Sequence, residues 1–182
     1  MSTVTNIKIQ PMTVEWASSA LGFTDGDLEF TTDEQSTDIV AHEEGTNILT
    51  SIRTGKTVEI TVTLKETNKA LLENIYKQGG AYVTASGAAS AVVAWGNSKD
   101  FTQVTTQAGK LVLHPVVKAA SDLSEDIAAW SAYPIPNSLS FSGENESLLT
   151  ISFRIYPDLT KADSLRLFMI GDHTDGTFSA IE

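Results

Sequence analysis

The sequence predicts a mainly β domain of the α+β type: an antiparallel sandwich or barrel with one helix against its sheet. Residues 57–65 and 148–156 alternate apolar and polar side chains, the period of two expected of strands buried on one face. Between these segments, apolar residues recur at three-to-four spacing over about 67–77, which indicates a short amphipathic helix. One flanking helix in a chain of strands is therefore expected.

The chain is predicted to form an arm and one domain. Residues 1–10 are polar and are expected to be an N-terminal arm, and residues 11–182 are long enough for a single hydrophobic core. Apolar residues alternate with polar ones over 12–16 and again at 28–31, which predicts a strand in each place. The polar stretch at about 32–46 is expected to be a long acidic hairpin or loop, and loops of this length are often functional.

Local signals place the remaining elements. Strands at 48–52 and 57–65 are expected to form a hairpin around the turn sequence RTGK at 53–56. Pro115 lies inside the strand pattern of 110–118, which predicts an edge strand or a bulge because proline has no N–H to donate.

A second short helix is predicted over residues 121–132. Asp122 or Ser124 is placed to cap its start, and apolar residues follow at 127, 128 and 130. Pro134 would end it, because the residue before a proline is disfavoured in the helical conformation.

Charge excludes one class of function. The formal net charge is −11, whereas proteins that grip nucleic acid through its phosphates carry basic surfaces. The acids are also concentrated: nine lie between residues 15 and 52, where there is no Lys or Arg, and residues 53–118 hold eight bases against four acids. The chain is therefore electrically asymmetric along its length.

No catalytic or cofactor site is expected. The three histidines, His42, His114 and His173, are far apart with no paired spacing, and there is no cysteine, so no metal is predicted. The sequence has neither a nucleophile elbow nor a phosphate-binding loop. A non-enzymatic, structural protein fits this profile best.

Several short sequences follow one another in an informative order. In chain order they are LGFTDG at 21–26, Gly45, IRTG at 52–55, VEITVTLKE at 58–66, ALL at 70–72 and FRIYPD at 153–158. Together, over residues 22–158, they resemble the bacteriophage major tail tube proteins.

The resemblance implies a structural subunit of the virion tail, assembled in the host cytoplasm. In that family, subunits join as rings, usually hexameric, whose sheets merge into an inner β-barrel, and the rings stack helically into a hollow tube. DNA passes through the tube during ejection without specific binding. The implied partners are further copies of the chain, a tape measure protein and tail terminator or tip proteins, with no membrane insertion and no cofactor.

Two groups of residues are candidates for roles in such a tube. A strand lining a wet lumen needs a polar inner face, and an acidic wall would repel DNA phosphates, although an ordinary solvated outer face explains the same pattern. The lumen candidates are Asp27, Glu29, Glu59, Thr61 and Thr63. The family's ring-to-ring contacts use a long loop and the termini, so an acidic loop meeting bases of the next ring is a second hypothesis. Its residues are Asp33, Glu34, Asp38, Glu43, Glu44, Arg53, Lys56 and Lys99.

Other functions remain open from the sequence. The tube of a contractile injection device or of a type VI-like secretion apparatus has the same architecture and moves proteins instead of DNA. A small β-barrel ligand-binding module or a carboxylate enzyme belongs to a different class. A binding module would be expected to contain an apolar pocket with a few convergent polar groups.

Overall fold

The computed structural model describes residues 11–26, 28–40, 47–65, 71–73, 75–76, 102–142 and 146–174. Within them, eight strands form one open antiparallel sheet, so the predicted mainly β class is confirmed. The strands are β1 Met12–Trp16, β2 Ser19–Ala20, β3 Glu29–Val40, β4 Ile48–Leu64, β5 Gly109–Pro115, β6 Ile127–Ser140, β7 Leu148–Ile155 and β8 Phe168–Ile170. Their order across the sheet is β2-β1-β5-β6-β7-β4-β3, and β8 pairs with β6. Short 3-10 helices occupy Val104–Gln107 and Asp163–Leu165.

The core lies on one face of this sheet. The alternation predicted for β4 is confirmed, because its apolar residues at 58, 60, 62 and 64 are all buried. Leu71 and Ile75 pack into the same cluster from the predicted helix, of which residues 71–73 and 75–76 are helical; the ends of the 67–77 prediction lie outside the described residues. The helix therefore covers the apolar face of the sheet, as its three-to-four spacing requires.

Two aromatic side chains tie the halves of the core together. The rings of Trp16 on β1 and Phe153 on β7 are both fully buried, with centroids 6.1 Å apart. The indole N–H of Trp16 donates a hydrogen bond of 3.0 Å to the carbonyl of Ala132 on β6. This contact satisfies a buried polar group while fixing the ring orientation.

The acidic segment at about 32–46 was expected to be a hairpin or a loop, and the loop interpretation is wrong for residues 32–40. Residues 32–40 belong to β3, which pairs with β4 along its whole length, and residues 41–46 lie outside the described part of the chain. The turn expected at 53–56 is also wrong, since β4 runs through it without interruption. Gly55 and its neighbours are instead accommodated by a register shift opposite Gln35 and Ser36, a bulge rather than a hairpin. The turn-forming residues at 53–56 thus coincide with a β-bulge in the pairing of β3 with β4.

The helix expected over 121–132 is a second error. Residues 127–132 begin β6, whose alanines at 128, 129 and 132 are buried. Small side chains fit a strand that is covered on both faces, and this tertiary setting outweighs the helix propensity of alanine. The strand continues through Pro134 and Pro136 instead of ending before them.

The prolines of β6 are compatible with pairing on one side. Tyr156 N–H donates to the carbonyl of Ser131, so residues 131, 133 and 135 direct their hydrogen bonds toward β7. The nitrogens of Pro134 and Pro136 consequently face away from β7, where no N–H is required. Pro115 is placed differently from its prediction: β5 is an interior strand between β1 and β6, and the proline is tolerated as its last residue.

No helix among the described residues combines the length and apolar character needed to cross a membrane.

Candidate assembly surfaces

The face of the sheet opposite the core is polar across β3, β4 and β7. In the register, Glu29 faces Thr61 and Thr31 faces Glu59, and Thr63 continues the same face of β4. The structure therefore brings four of the five lumen candidates onto one face, and the fifth, Asp27, lies outside the described residues. That this face lines a channel stays a prediction.

Hydroxyl groups connect the strands on this face. Thr61 lies 3.0 Å from the Ser152 hydroxyl, and Thr63 lies 3.2 Å from the Thr150 hydroxyl, so each pair joins β4 to β7. The side-chain amide of Asn137 on β6 donates to the same Ser152 oxygen at 2.6 Å. Cross-strand pairs of this kind stabilise a sheet without apolar burial. Ser152 itself is buried, whereas Glu29, Glu59 and Arg154 on the same face are exposed.

The charge of this face is only partly acidic. Glu29, Asp33 and Glu59 contribute carboxylates, and Arg154 on β7 lies directly opposite Glu59. The alternation of residues 148–156 already places Arg154 on the polar side of its strand, but only the register reveals its neighbour. Among the described residues of these three strands, three carboxylates against one guanidinium give the face a net negative charge.

Beyond the end of β7, β3 and β4 continue as a two-stranded ribbon, defined here as residues 31–40 and 48–57. The last pair between β4 and β7 is Val58 with Ile155, so the ribbon projects past the neighbouring strand. Every residue of its β3 strand is exposed. At about 3.3 Å per residue, the ten residues of β4 in the ribbon extend roughly 33 Å.

Three of the five described charges of the ribbon form ion pairs within the chain. Glu34 forms ion pairs with Arg53 and, at 3.9 Å, with Lys56. Asp38 accepts a hydrogen bond of 2.6 Å from Ser51 across the same two strands. Five of the eight proposed ring-stacking residues therefore lie together on the ribbon, and the other three, Glu43, Glu44 and Lys99, lie outside the described residues. Their contact with another ring stays a prediction.

The outer part of the ribbon is apolar, which the sequence reasoning missed. Five large aliphatic side chains there are 40–59% exposed: Ile39, Val40, Ile48, Leu49 and Ile52. We call this group the ribbon tip. The signal in the sequence was a pair of short apolar runs, one before residue 41 and one after residue 46. The described side chains of these runs are exposed because no core covers the ribbon.

A second polar region lies on β1, β5 and β6. His114 Nδ1 is 2.7 Å from a carboxylate oxygen of Asp126, which is buried, and His173 lines the same cavity of about 360 Å³. Burial lowers the pKa of His173 and that of Lys110 beside it. In the described ranges, no three histidine, cysteine or carboxylate groups are arranged to hold a metal ion. We therefore interpret the pair as anchoring the segment before β6 to β5.

A larger cavity lies at the base of the ribbon. Its volume is about 580 Å³, and its walls are the ribbon residues near Lys56 and the 163–168 segment. The rings of Phe30 and Phe168 meet edge to face beside it, with centroids 4.8 Å apart, and close the core at this point. The cavity is lined by charged and hydroxyl side chains as much as by apolar ones, unlike the mostly apolar pockets of ligand-binding modules.

Comparison with known proteins finds solved structures that are similar to this chain. The solved structure of the tube-terminating cap of the anti-feeding prophage is similar, with a TM-score of 0.49 and 13% identity over 85% of this chain and 90% of that one. No protein-family model and no curated protein sequence matches the chain. A likeness of this size carries no conclusion about function.

Proposed function

We propose that this protein is a structural subunit of a phage-type tail tube, which assembles as stacked rings, hexameric as in the family that its sequence resembles. The tube would conduct DNA during ejection. The single observation that carries the proposal is the sheet formed by β3, β4, β7 and the second half of β6, with an apolar face sealed by the core and a polar face left to water.

The two faces of this sheet fit a tube wall. A barrel that encloses water needs side chains that are polar inside and apolar outside, alternating along each strand. Val58, Ile60 and Val62 supply the apolar side, and Glu59 and Thr61 supply the polar side. The net negative charge of the polar face would repel DNA phosphates, so DNA would slide and not adhere.

The edges of the sheet give a second reason. Within the described residues, β3 has a partner on one side only, and β6 has none beside residues 133–140 on the side away from β7. Unpaired edges favour association with further strands, and closing a ring of subunits would remove them. The nitrogens of Pro134 and Pro136 face the free side of β6, so this junction would depend on shape and side chains more than on backbone bonds.

Electron microscopy of the purified protein in negative stain tests the proposal. Hollow stacked rings are the expected result, with sedimentation showing species much heavier than the 19.5 kDa chain. A protein that stays monomeric at all concentrations and salt conditions would contradict the proposal and favour a binding module.

The role of the polar face can be tested separately. Glu29→Lys with Glu59→Lys reverses two carboxylates on the face. Asp163→Lys is the control, because that side chain is 88% exposed and belongs to the segment whose residues 167 and 168 pack against the core. Tubes of the double variant should retain DNA in a salt-dependent way, whereas tubes of the control should not. Equal retention by both would place the face on the outside.

The cargo that the assembled tubes admit distinguishes a phage tail tube from the tube of an injection or secretion device. Tubes that admit double-stranded DNA support the phage assignment, and tubes that exclude DNA but load a protein effector would instead assign the chain to an injection or secretion device. Both outcomes leave the subunit architecture as proposed.

A further inference from the structure

The lysines within the described residues differ in their charge partners. Three of them form ion pairs with carboxylates, at 3.0–3.9 Å: Lys56, Lys65 and Lys118. Lys110 on β5 and Lys161 form no ion pair with a described carboxylate, and both instead contact the ring of one tryptophan. The chain holds 23 acids against 12 bases, so two neighbouring cations without a carboxylate partner are an exception in it.

The indole ring of Trp130 on β6 brings these two ammonium groups together. Lys110 Nζ lies 4.9 Å from the ring centroid, and Lys161 Nζ lies 4.4 Å from it. The face of an indole attracts cations, so the ring holds both side chains although their charges repel each other. Each lysine is therefore close enough to act on the protonation of the other.

The surroundings of Lys110 favour the neutral amine over the ammonium ion. Burial lowers the pKa of Lys110, and the charge of Lys161 lowers it further. The carboxylates of Glu15 and Asp126 act in the opposite direction, but the pKa still lies below its ordinary value of 10.5. The indole face also favours a cation, but two ammonium groups share it.

The paired lysines have the opposite setting. The hydrogen bond with Asp25 raises the pKa of Lys65, and the hydrogen bond with Asp122 raises that of Lys118. A carboxylate partner stabilises the ammonium form and removes the lone pair that a nucleophile needs. Lys110 therefore differs from these two lysines in the property that decides reactivity.

A small molecule can reach Lys110 from a cavity. The residue is half-buried and lines the cavity of about 360 Å³ whose walls also include His114 and His173. Lysines that attack carbonyl groups are activated by partial desolvation or by another cation nearby, and Lys110 has both. The cavity gives the electrophile a place beside the amine.

We infer that Lys110 is a site of covalent acylation by small acyl phosphates, with Lys161 as the cation that binds the phosphate group. The neutral amine of Lys110 attacks the carbonyl carbon, and a C–N bond forms while the bond from that carbon to the phosphate oxygen breaks. The phosphate leaves with the electron pair of that bond and takes up, through water, the proton that the amine loses. The products are an amide on Lys110 and hydrogen phosphate, so no oxidant or reductant is needed.

The two cations select the charge of the acyl donor. An acyl phosphate carries its negative charge on the leaving group, and Lys161 is a cation without a described carboxylate partner. Attraction between them would place the carbonyl carbon next to the amine of Lys110. The modification goes beyond the proposed tube function and does not depend on ring assembly, because all of these residues belong to one subunit.

Labelling resolved to single residues tests the inference. The folded protein is treated with acetyl phosphate near neutral pH, and acetylation of each lysine is followed by mass spectrometry of its peptides. Lys110 should react at least about threefold faster than Lys56 and Lys118, because a lower pKa leaves a larger neutral fraction. Lys56 is 53% exposed and Lys118 is 29% exposed, so the pair controls for accessibility. Equal or slower reaction of Lys110 overturns the inference.

The role of Lys161 is tested by substitution. Lys161→Gln should slow acetylation of Lys110 by acetyl phosphate more than acetylation by an uncharged acetyl ester, because only the phosphate uses the second cation for binding. Lys161→Arg keeps the charge and should restore most of the rate. Lys118→Gln is the matched control, since it removes a charge that is paired with Asp122, and it should leave the rate unchanged. Equal slowing with both acyl donors overturns the binding role of Lys161.

A histidine titration checks the position of Lys110 by another method. Burial lowers the pKa of His173, and the charge of Lys110 lowers it further. Lys110→Gln, which lacks that charge as the acylated residue does, should therefore raise the pKa of His173 in proton NMR. The acetylated parent protein should show a shift in the same direction. An unchanged pKa in both proteins would separate Lys110 from the cavity and overturn the inference.

Discussion

Glu59 and Arg154 lie directly opposite each other on the adjacent antiparallel strands β4 and β7, on the polar face of the sheet. Opposite charges in such a cross-strand pair stabilise a sheet by about 0.2–1 kcal/mol. A double-mutant cycle with Glu59→Gln and Arg154→Gln should therefore give a coupling free energy in that range, measured by urea unfolding. The coupling should shrink in 1 M salt, and a value of zero at low salt would show that the two side chains act independently.

The ring of Phe153 is fully buried against Trp16, whereas Phe141 is 77% exposed. Phe153→Ala should lower the free energy of unfolding by about 3–5 kcal/mol, because it removes buried apolar surface and leaves a cavity. Phe141→Ala makes the same chemical change on the surface and should alter the stability of the subunit by less than about 0.5 kcal/mol. Denaturant unfolding of both variants measures the contrast, and similar losses would contradict the described core.

Asp126 is buried, and one of its carboxylate oxygens is hydrogen-bonded to His114 Nδ1 at 2.7 Å. Asp126→Ala should destabilise the fold by about 1–3 kcal/mol, because the imidazole loses its partner in a setting with little water. Asp163→Ala is the control, since that carboxylate is 88% exposed. Thermal unfolding of the two variants gives the comparison, and a neutral Asp126→Ala would mean that the pair anchors nothing.

The hydrogen bonds from Ser124, followed by that from Lys118, lower the pKa of Asp122 to about 2 from 3.8. A lowered carboxyl pKa contributes stability that is complete above the unfolded value of 3.8 and is lost as the pH falls through about 2. Asp122→Asn should thus be less stable than the parent at pH 6, and the difference should disappear near pH 2. Unfolding curves of both proteins between pH 2 and pH 6 test this; a difference that grows on acidification would contradict it.

The free side of β6 lacks an N–H at Pro136. Pro136→Val restores a donor there and should increase concentration-dependent association, since unblocked edges recruit further strands. Light scattering at several concentrations measures the effect. Pro157→Val is the control, because Pro157 is exposed and lies outside the strands; equal association by both variants would show that the edge is not responsible.

Agreement between sequence and structure depended on burial. β4 and β7 were predictable because each packs one face on the core. Apolar residues therefore occupy every second position, as Val58, Ile60 and Val62 do in β4. Residues 32–40 were expected to be part of a hairpin or loop because this side of the ribbon has no buried face, and a strand exposed on both sides has no such period. The start of β6, residues 127–132, was mistaken for a helix because its alanines are covered on both faces, which removes the alternation as well.

The sequence by itself determined that the chain forms a mainly β domain with a helix over the apolar face of β4, and which side of that strand is polar. Only the tertiary structure decided which side chains share that polar face, because register is set by long-range pairing and turn geometry. Arg154 meets Glu59, and Arg53 meets Glu34, through contacts between segments far apart or across a bulge. Residues 32–40 of the acidic segment therefore form one strand of the ribbon. The apolar side chains of the ribbon tip are exposed because the ribbon extends past the end of β7.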